Sequence, residues 1–248
     1  MSETPENTVY VITGANRGIG LGLAKAYLGR PRTTVIATVR NQQAADVLKS
    51  EISTVELGEN SVLDIIELDF TRAESPEKIR SAFNIARIDV LINNAGAAGE
   101  LNRAVETTAE DLRACFEINT IAPLMMFQAL WPLMQKAESP KLIMVTSTVG
   151  FITYQEFPGG AYGPSKAALN WLTRALHLQE DKLTAVALHP GWVQTAMGYS
   201  AAQDWKFAPG PPETIEGCVK GMIGIIDNAT RDKYSGKFVT YKGEEYPW

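Results

Sequence analysis

Thr13-Gly14-Ala15-Asn16-Arg17-Gly18-Ile19-Gly20 is the stretch of sequence that decides the fold. It follows a β-branched, apolar run over residues 9–13 and precedes a segment of helical periodicity over residues 19–30. Glycines at a strand-to-helix turn allow a tight bend, close approach of the backbone to a diphosphate, and close packing of the helix on the strand. The helix N-terminus adds free N–H groups and a partial positive charge. The stretch therefore predicts a nucleotide-binding turn, although its Gly-x3-Gly-x-Gly spacing differs from the commonest dinucleotide pattern.

The same alternation of strand and helix continues along the chain. Helical periodicity covers residues 19–30, 41–53, 74–86, 108–137, 162–181 and 212–228, between predicted strands at residues 9–13, 34–39, 62–69, 89–93, 141–147, 184–189 and 237–241. Most strand runs are continuously apolar, which is typical of strands covered on both faces. Seven strands and six helices predict an α/β fold, a single Rossmann-type domain over residues 1–248 with a doubly wound parallel sheet.

Composition and charge exclude several classes of protein. The 248 residues are 45% hydrophobic and carry a net charge of −5 without blocks of like charge, which argues against nucleic-acid and membrane-surface partners. No apolar run reaches the roughly 18 residues of a membrane span, and the acidic start MSETPENT lacks the basic and apolar regions of a secretory signal. Two distant cysteines and two histidines without metal-site spacing predict a cytoplasmic protein with no bound metal.

Residues 192–212 interrupt the regular pattern. This segment has no clear periodicity and contains four aromatic residues and three prolines. About twenty such residues inside a compact domain are more often functional than connecting, so we expect a substrate lid after the sixth strand; two short helices packed on the rim are the alternative. With the segment at residues 151–160, the lid is predicted to form an aromatic mouth that selects bulky aromatic or polyketide-like substrates. The rings concerned are Phe151, Tyr154, Phe157, Trp192, Tyr199, Trp205 and Phe207. The alternative is that several of these rings pack against the core or a neighbouring subunit.

The choice of cofactor depends on the residue that binds the adenosine ribose. Dinucleotide folds usually place an acidic residue about 20 positions beyond the glycines, where it binds the ribose 2′-hydroxyl. This chain has Arg40 at that position and no carboxylate before Asp46, while Arg17 lies in the glycine turn. Guanidinium groups grip a 2′-phosphate through charge-assisted hydrogen bonds. The pattern favours NADP(H) over NAD(H), with two ordinary surface arginines as the alternative.

A Tyr-x3-Lys pair, Tyr162 and Lys166, lies where a helix is predicted to begin, so both side chains project from one helical face. A nearby ammonium stabilises a phenolate, and we expect Lys166 to lower the pKa of Tyr162. Such a tyrosine can donate a proton to a carbonyl oxygen as hydride reaches the carbon. Ser147, at the carboxyl end of the fifth strand, can hold the same oxygen. Asn119, inside an apolar helix, is by itself more typical of a satisfied core residue.

These residues jointly resemble the short-chain dehydrogenase/reductase family over nearly the whole chain. The resemblance implies that Tyr162 is the general acid/base, that Ser147 orients the carbonyl, and that Lys166 also holds the nicotinamide ribose. It further implies that Asn119 fixes a water in a proton relay. The matching motifs are Thr13-Gly14-x3-Gly18-x-Gly20, Asp69 after the third strand, Asn93-Asn94-Ala95-Gly96, Asn119, Ser147, Tyr162-x3-Lys166 and Pro190-Gly191-x3-Thr195.

The resemblance also implies a set of cofactor contacts. Asp69 would meet the adenine, Asn93 would lie along the cofactor, and Val193 and Thr195 would meet the carboxamide. The full predicted set is Gly14, Asn16, Arg17, Gly18, Ile19, Gly20, Arg40, Asp69, Asn93, Ala95, Gly96, Tyr162, Lys166, Pro190, Gly191, Val193 and Thr195.

More narrowly, the stretch from His189 to Gly198 and the ending from Gly236 to Trp248 look like sniffer-type carbonyl reductases and fungal norsolorinic acid ketoreductases. Ala196 departs from the acidic residue often found there. The resemblance implies an NADPH-dependent reductase of a small-molecule ketone or aldehyde, assembled as a homodimer or homotetramer. NAD(P)-dependent alcohol oxidation is a second interpretation. A non-catalytic dinucleotide-binding sensor or scaffold is a third, which the complete catalytic set disfavours.

Overall fold

The computed structural model of the chain, which describes residues 6–72 and 74–248, contains one eight-stranded sheet in the order β3-β2-β1-β4-β5-β6-β7-β8. All neighbouring strands are parallel except β7 and β8. Residues 1–5, which belong to the acidic N-terminal stretch, lie outside the described residues. The strands are β1 Thr8–Thr13, β2 Thr33–Val39, β3 Val62–Glu67, β4 Val90–Asn93, β5 Lys141–Val145, β6 Thr184–His189, β7 Phe238–Thr240 and β8 Glu245–Tyr246.

Helices cover both faces of the sheet. Leu23 of α1, Leu48 of α2 and Met222 of α8 pack in one buried apolar cluster, while helices α3, α5 and α6 contribute to the cluster on the opposite face. Apolar strands buried on both faces are characteristic of a doubly wound sheet. The helices are α1 Gly18–Leu28, α2 Gln42–Ile52, α3 Pro76–Ser81, α4 Ala109–Phe116, α5 Ala122–Met134, α6 Tyr162–Gln179, α7 Ala196–Asp204 and α8 Ile215–Asp227.

Short polar side chains fix several helix starts. The side chains of Asn41, Ser75, Thr108 and Thr214 each accept a hydrogen bond from a backbone N–H in the first turn of the helix that follows. Such caps satisfy donors that have no intrahelical partner. These helices therefore begin close to the positions that the sequence predicts.

The fold class is confirmed, with three differences in detail. The predicted helix over residues 108–137 is divided into α4, a π-helical segment Glu117–Ile121, and α5. A π-helical turn leaves the apolar pattern almost continuous, so periodicity alone does not reveal it. Strand β8 is two exposed residues paired to β7, too short to produce a strand pattern. Helix α7 lies inside the segment predicted as a lid, in agreement with the alternative of helical structure there.

Within the part of the chain that the structure describes, no helix combines the length and apolar character needed to cross a bilayer.

The sheet order reverses between β1 and β4, because β2 lies on one side of β1 and β4 on the other. In open α/β sheets ligands bind beyond the carboxyl ends of the strands at such a reversal. This edge of the sheet is therefore where the site is expected.

Candidate active site

A cleft of about 740 Å³ lies at the carboxyl ends of the parallel strands. Its floor is built by residues that directly follow successive strands, such as Gly14 after β1, Arg40 after β2 and Pro190 after β6. Tyr162 and Lys166, from the first turns of α6, line the same space. The cleft therefore joins the predicted nucleotide-binding turn to the predicted catalytic pair.

The glycine turn has the geometry that its sequence predicts. Gly14 and Gly18 have φ angles of +65° and +56°, in the left-handed region that favours glycine. A Cβ at Gly20 would lie 2.4 Å from the Gly14 carbonyl oxygen and 2.6 Å from Nδ2 of Asn94, so only glycine fits there. The turn ends at α1, whose first N–H groups lack side-chain caps. This open helix N-terminus beside close-packed backbone fits the diphosphate of a dinucleotide.

Two guanidinium groups border the ribose end of the cleft. Arg17, the N-cap residue of α1, and Arg40, which follows β2, both line the cavity, and Arg40 is exposed. Neither forms an ion pair with any residue that the structure describes. The Asp69 carboxylate on the same wall accepts a hydrogen bond from the Thr71 backbone N–H at 3.0 Å. The arginines are therefore available to an anionic ligand.

Lys166 and Tyr162 meet at the inner end of the cleft. The Lys166 ammonium is buried, donates a hydrogen bond to the Val145 carbonyl oxygen at 2.8 Å, and lies 5.5 Å from the centre of the Tyr162 ring. Burial lowers the pKa of Lys166 to about 8. Because this value is above 7, the ammonium stays largely charged at neutral pH.

The pKa of Tyr162 is raised to about 12, contrary to the expectation that Lys166 lowers it. Burial at the bottom of the cleft is the largest cause, and the nearby Cys115 thiol adds to it, while a hydrogen bond with the Ser147 side chain acts in the opposite direction. The Lys166 ammonium is directed at the Val145 carbonyl rather than at the phenol oxygen. At neutral pH Tyr162 is therefore protonated, the form that donates a proton.

Ser147 is fixed by the backbone that follows β5. Its side chain accepts a hydrogen bond from the Val149 N–H at 3.2 Å and so caps the short 3-10 turn Thr148–Gly150. The residue is 7% exposed and does not itself line the main cleft, although Val145 and Thr146 do. The turn packs on α6, and the Ser147 side chain reaches Tyr162 there.

Asn119 is a fully buried residue of the π-helical segment. Its Oδ1 accepts from the Ala97 N–H at 2.9 Å, and its Nδ2 donates to the Ala97 carbonyl at 2.7 Å and to Ser165 Oγ at 2.9 Å. The side chain therefore joins the loop after β4 to α6, as a satisfied core residue does. Its implied place in a proton relay stays a prediction.

Four predicted cofactor residues do not line the cleft: Gly20, Asn93, Gly191 and Val193. Asn93 is buried and donates to the Pro123 carbonyl at 3.2 Å, whereas its neighbour Asn94 borders the cleft. Gly191 makes a turn at φ +84°, and Val193 is buried against Glu213 through an isolated β-bridge. The remaining predicted cofactor residues all line the cleft, namely Gly14, Asn16, Arg17, Gly18, Ile19, Arg40, Asp69, Ala95, Gly96, Tyr162, Lys166, Pro190 and Thr195.

Sequence reasoning missed other residues of the cleft wall. Several of them end a strand or directly follow one, so the rule that ligands bind beyond strand ends could have found those. The missed residues include Thr38, Val39, Leu68, Phe70, Asn94, Ala97, Ile118, Val145, Thr146, Gln194, Met197 and Ser200.

The predicted aromatic mouth is wrong in its arrangement. Phe157 stacks on Trp205 with ring centres 4.7 Å apart, and Trp192 packs on Trp205 and Phe207 at 5.3 and 5.0 Å. These four rings contact one another rather than framing an opening. Phe151 lies elsewhere, 5.0 Å from Phe238, and two further rings, Tyr154 and Tyr199, are exposed. Contact between apolar rings removes part of their surface from water, which stabilises this packing relative to rings held apart around a mouth.

Comparison with known sequences identifies relatives of this arrangement. The family model described as short chain dehydrogenase matches residues 8–206. A short-chain dehydrogenase of Pyricularia oryzae, RED3, is 40% identical, with 98% of this chain and 99% of that protein covered. A norsolorinic acid ketoreductase of Aspergillus parasiticus is 35% identical, with 98% of this chain and 92% of that protein covered.

Solved structures give the same result. The NADPH-bound carbonyl reductase from chicken fatty liver superposes with a TM-score of 0.82 at 31% identity, covering 99% of this chain and 96% of that one. The carbonyl reductase Sniffer of D. melanogaster superposes with a TM-score of 0.82 at 28% identity, covering 98% of this chain and all of that one. The resemblance to sniffer-type carbonyl reductases and to norsolorinic acid ketoreductases is confirmed.

Proposed function

Because the chain belongs to the short-chain dehydrogenase family of oxidoreductases, we propose that it reduces ketones or aldehydes with NADPH. The observation that carries the proposal is the Lys166 ammonium nitrogen 5.5 Å from the centre of the Tyr162 ring, whose pKa is raised by burial. The same cleft holds two arginines that form no ion pair with the residues that the structure describes. A protonated phenol is ready to donate to a carbonyl oxygen, which favours reduction over alcohol oxidation near neutral pH.

Specificity for NADPH rests on Arg17 and Arg40. Their guanidinium groups would bind the 2′-phosphate through charge-assisted hydrogen bonds, and no carboxylate stands at the end of β2 to bind a bare ribose. The NADPH in the chicken carbonyl reductase, which is 31% identical, supports the same choice. The glycine turn would hold the diphosphate against the N-terminus of α1.

The catalytic steps follow from the positions of three side chains. NADPH held by the glycine turn and the two arginines would supply the hydride that the carbonyl carbon needs. Tyr162 donates its proton to the carbonyl oxygen, and Ser147 holds that oxygen through its hydroxyl. Lys166 stabilises the phenolate that remains after proton transfer and binds the nicotinamide ribose. The ketone thereby gains one hydride and one proton and becomes an alcohol.

Bulky aromatic or polyketide-like ketones are the proposed substrates. Support comes from the norsolorinic acid ketoreductase relative at 35% identity and from the apolar side chains Ile118, Val145 and Met197 around the inner cleft. Pockets that bind flat apolar molecules are lined mainly by such residues, with few placed polar groups. Small aliphatic ketones would bury less apolar area and bind more weakly.

We also propose a cytoplasmic homo-oligomer, a dimer or tetramer built on the long helices. Two apolar side chains of α6, Trp171 and Leu178, are 68% and 63% exposed and separated by about two helical turns. Contact with a second copy would bury them. Sedimentation of the wild type against Trp171→Glu tests the assembly, and a monomeric wild type would contradict it.

Loss of NADPH absorbance with a panel of aryl and polycyclic ketones, aldehydes and small aliphatic ketones tests the function. We expect turnover of aryl ketones with NADPH, slower turnover with NADH, and weak activity on small aliphatic ketones. Oxidation of the matching alcohols with NAD as the faster reaction would support the dehydrogenase alternative. NADPH binding without any turnover would support the sensor or scaffold.

A further inference from the structure

We propose that Trp205 and Asp204 are positioning residues that couple the lid (residues 192–212) to the placement of Tyr162. They sit where α7 ends and bind two other segments: the wall loop (residues 151–160) and the loop after β4 (residues 97–107). The proposal rests on the proposed reductase function, in which Tyr162 is the proton donor.

Trp205 fastens the lid to the wall loop. Its indole Nε1 donates a hydrogen bond to the Pro158 carbonyl oxygen at 2.9 Å, and its ring lies almost parallel to Phe157, with 16° between the planes. Trp192 and Phe207, also in the lid, pack around the same pair of rings. A directed hydrogen bond added to ring stacking fixes one orientation, which stacking alone does not.

Asp204 fastens the lid to the loop after β4. Its carboxylate accepts a hydrogen bond from the Leu101 backbone N–H at 3.1 Å. That loop is in turn bound to the wall loop, since the Gly160 N–H donates to the Asn102 carbonyl at 3.1 Å. The three segments therefore form a closed set of contacts in which each is bound to the other two.

The wall loop leads directly into the catalytic helix. Pro158 is four residues before Tyr162, the first residue of α6. The N-cap residue Ala161 offers no side-chain hydrogen bond, so this helix start is not fixed by a local cap. The Gly163 N–H instead donates to the Gly159 carbonyl at 2.9 Å. Beside the bond from the Ser165 hydroxyl to the Tyr162 carbonyl oxygen, the start of α6 is therefore supported by the wall loop, which Trp205 holds directly and Asp204 holds through the loop after β4.

Helix α7 also faces the cofactor side of the site. Its first-turn residues Ala196 and Met197, with Ser200, line the cleft. One element thus borders the cofactor cleft at its start and fastens the wall loop at its end. When the lid closes over bound ligands, the same contacts would hold Tyr162 in the position from which it donates its proton. Enclosure of the substrate and positioning of the proton donor would then occur together.

Four variants test the coupling. Trp205→Phe keeps a ring on Phe157 and removes the indole donor, while Asp204→Ala removes the acceptor for Leu101. Asp204→Asn retains an acceptor oxygen and is the matched control for Asp204→Ala. Val47→Ala changes an exposed residue of α2 that lies outside the cleft and has no part in these contacts. Hydrogen exchange of the protein without added ligand, NADPH binding, and single-turnover reduction of an aryl ketone are measured for each.

We expect Trp205→Phe and Asp204→Ala each to raise exchange in all three segments, including the one that the altered side chain does not touch. Single-turnover reduction should slow about three- to tenfold, as expected for losing one hydrogen bond. The NADPH dissociation constant should stay within about twofold, since the arginines and glycine turn are untouched. Asp204→Asn should keep the wild-type rate, and Val47→Ala should change none of the three measurements.

Two results would overturn the coupling. One is an increase in hydrogen exchange that is confined to the segments in direct contact with the altered side chain. The other is a single-turnover rate equal to that of the wild type in both Trp205→Phe and Asp204→Ala. An equal loss in Asp204→Asn and Asp204→Ala would also overturn it, because the acceptor would then not be the cause. Failure of the proposed function is a separate result: the wild type would show no reduction at all, while the exchange experiment would still decide whether the three segments are coupled.

Discussion

Lys166 holds its ammonium nitrogen 5.5 Å from the centre of the Tyr162 ring while it donates a hydrogen bond to the Val145 carbonyl. Burial moves the two pKa values in opposite directions, lowering that of Lys166 to about 8 and raising that of Tyr162 to about 12. Near pH 7 the pair is therefore a charged ammonium beside a neutral phenol. This protonation state supplies both a proton donor and a cation to stabilise the phenolate that donation leaves behind.

Replacing Tyr162 by phenylalanine should remove the proton donor without disturbing the cleft. We expect Tyr162→Phe to lower kcat by at least about a hundredfold, the low end for loss of a general acid, while NADPH still binds. Single-turnover kinetics and NADPH fluorescence titration measure the two quantities separately. A near-normal rate of the chemical step would show that another group donates the proton.

The rate of reduction should fall as the pH rises above about 8, the pKa of Lys166. Below this value the ammonium is charged and stabilises the developing phenolate; above it the neutral amine does so less, while Tyr162 stays protonated up to about pH 12. A pH profile of kcat/KM measures the inflection. Lys166→Met should show lower turnover, weaker NADPH binding and no inflection near pH 8. An unchanged inflection in this variant would assign it to another group.

Cofactor preference should depend on Arg40. We expect the wild type to prefer NADPH over NADH by more than about tenfold, since a hydrogen bond to a charged group contributes about 1.5–3 kcal/mol. Arg40→Asp should shrink or reverse this ratio because it replaces attraction with repulsion. Lys220→Asp makes the same charge change on an exposed residue outside the cleft and should leave the ratio unchanged. Equal kcat/KM for both cofactors in the wild type would refute the prediction.

The glycine turn should tolerate no side chain at Gly20. In Gly20→Ala the new Cβ would meet the Gly14 carbonyl oxygen at 2.4 Å, so we expect weaker NADPH binding and a loss of about 1–3 kcal/mol in unfolding free energy through forced backbone shifts. Gly224→Ala is the matched control, because a Cβ there has nothing within 4 Å. It should raise stability by about 0.5–1 kcal/mol. Denaturant unfolding and NADPH titration compare the two variants.

Replacing Asn119 by alanine should lower the free energy of unfolding. Asn119→Ala leaves both backbone groups of Ala97 without their hydrogen-bond partner. Because Ala97 borders the cleft and is only partly buried, we expect a loss of about 1–3 kcal/mol in unfolding free energy, from two hydrogen bonds worth about 0.5–1.5 kcal/mol each. Urea unfolding measures this loss. Single-turnover reduction by the folded variant tests the relay: a rate reduced tenfold or more supports it, whereas a wild-type rate limits Asn119 to a structural role.

The sequence predicted the sheet, its parallel strands and 13 of the 31 residues that line the cleft. Continuous apolar runs and the glycine turn are local signals, and Gly14, Gly18 and Arg40 lie where those signals place them, beyond the ends of β1 and β2. Strand ends, caps and turns depend on a few neighbouring residues, so they can be read along the chain.

Features that depend on contacts between distant segments could not be predicted in this way. Asn119 reaches Ala97 and Ser165, which are separated from it by 22 and 46 positions, and the π-helical turn that contains it leaves the apolar pattern almost continuous. The raised pKa of Tyr162 comes from burial, which exists only after folding.

The chain by itself thus determined which residue types stand at the end of each strand, and with them the fold and the pair Tyr162 and Lys166 that we propose as catalytic. Only the tertiary structure decided which contacts are made by the side chains that lie between the strand ends. The sequence predicted an aromatic mouth, but four of its rings pack on one another and hold the lid on the wall loop, namely Phe157, Trp192, Trp205 and Phe207. The physical reason is that contact with any apolar neighbour stabilises an aromatic ring, since the hydrophobic effect has no directional preference. Which neighbour is available depends on how segments about 50 residues apart in the sequence come together in the fold.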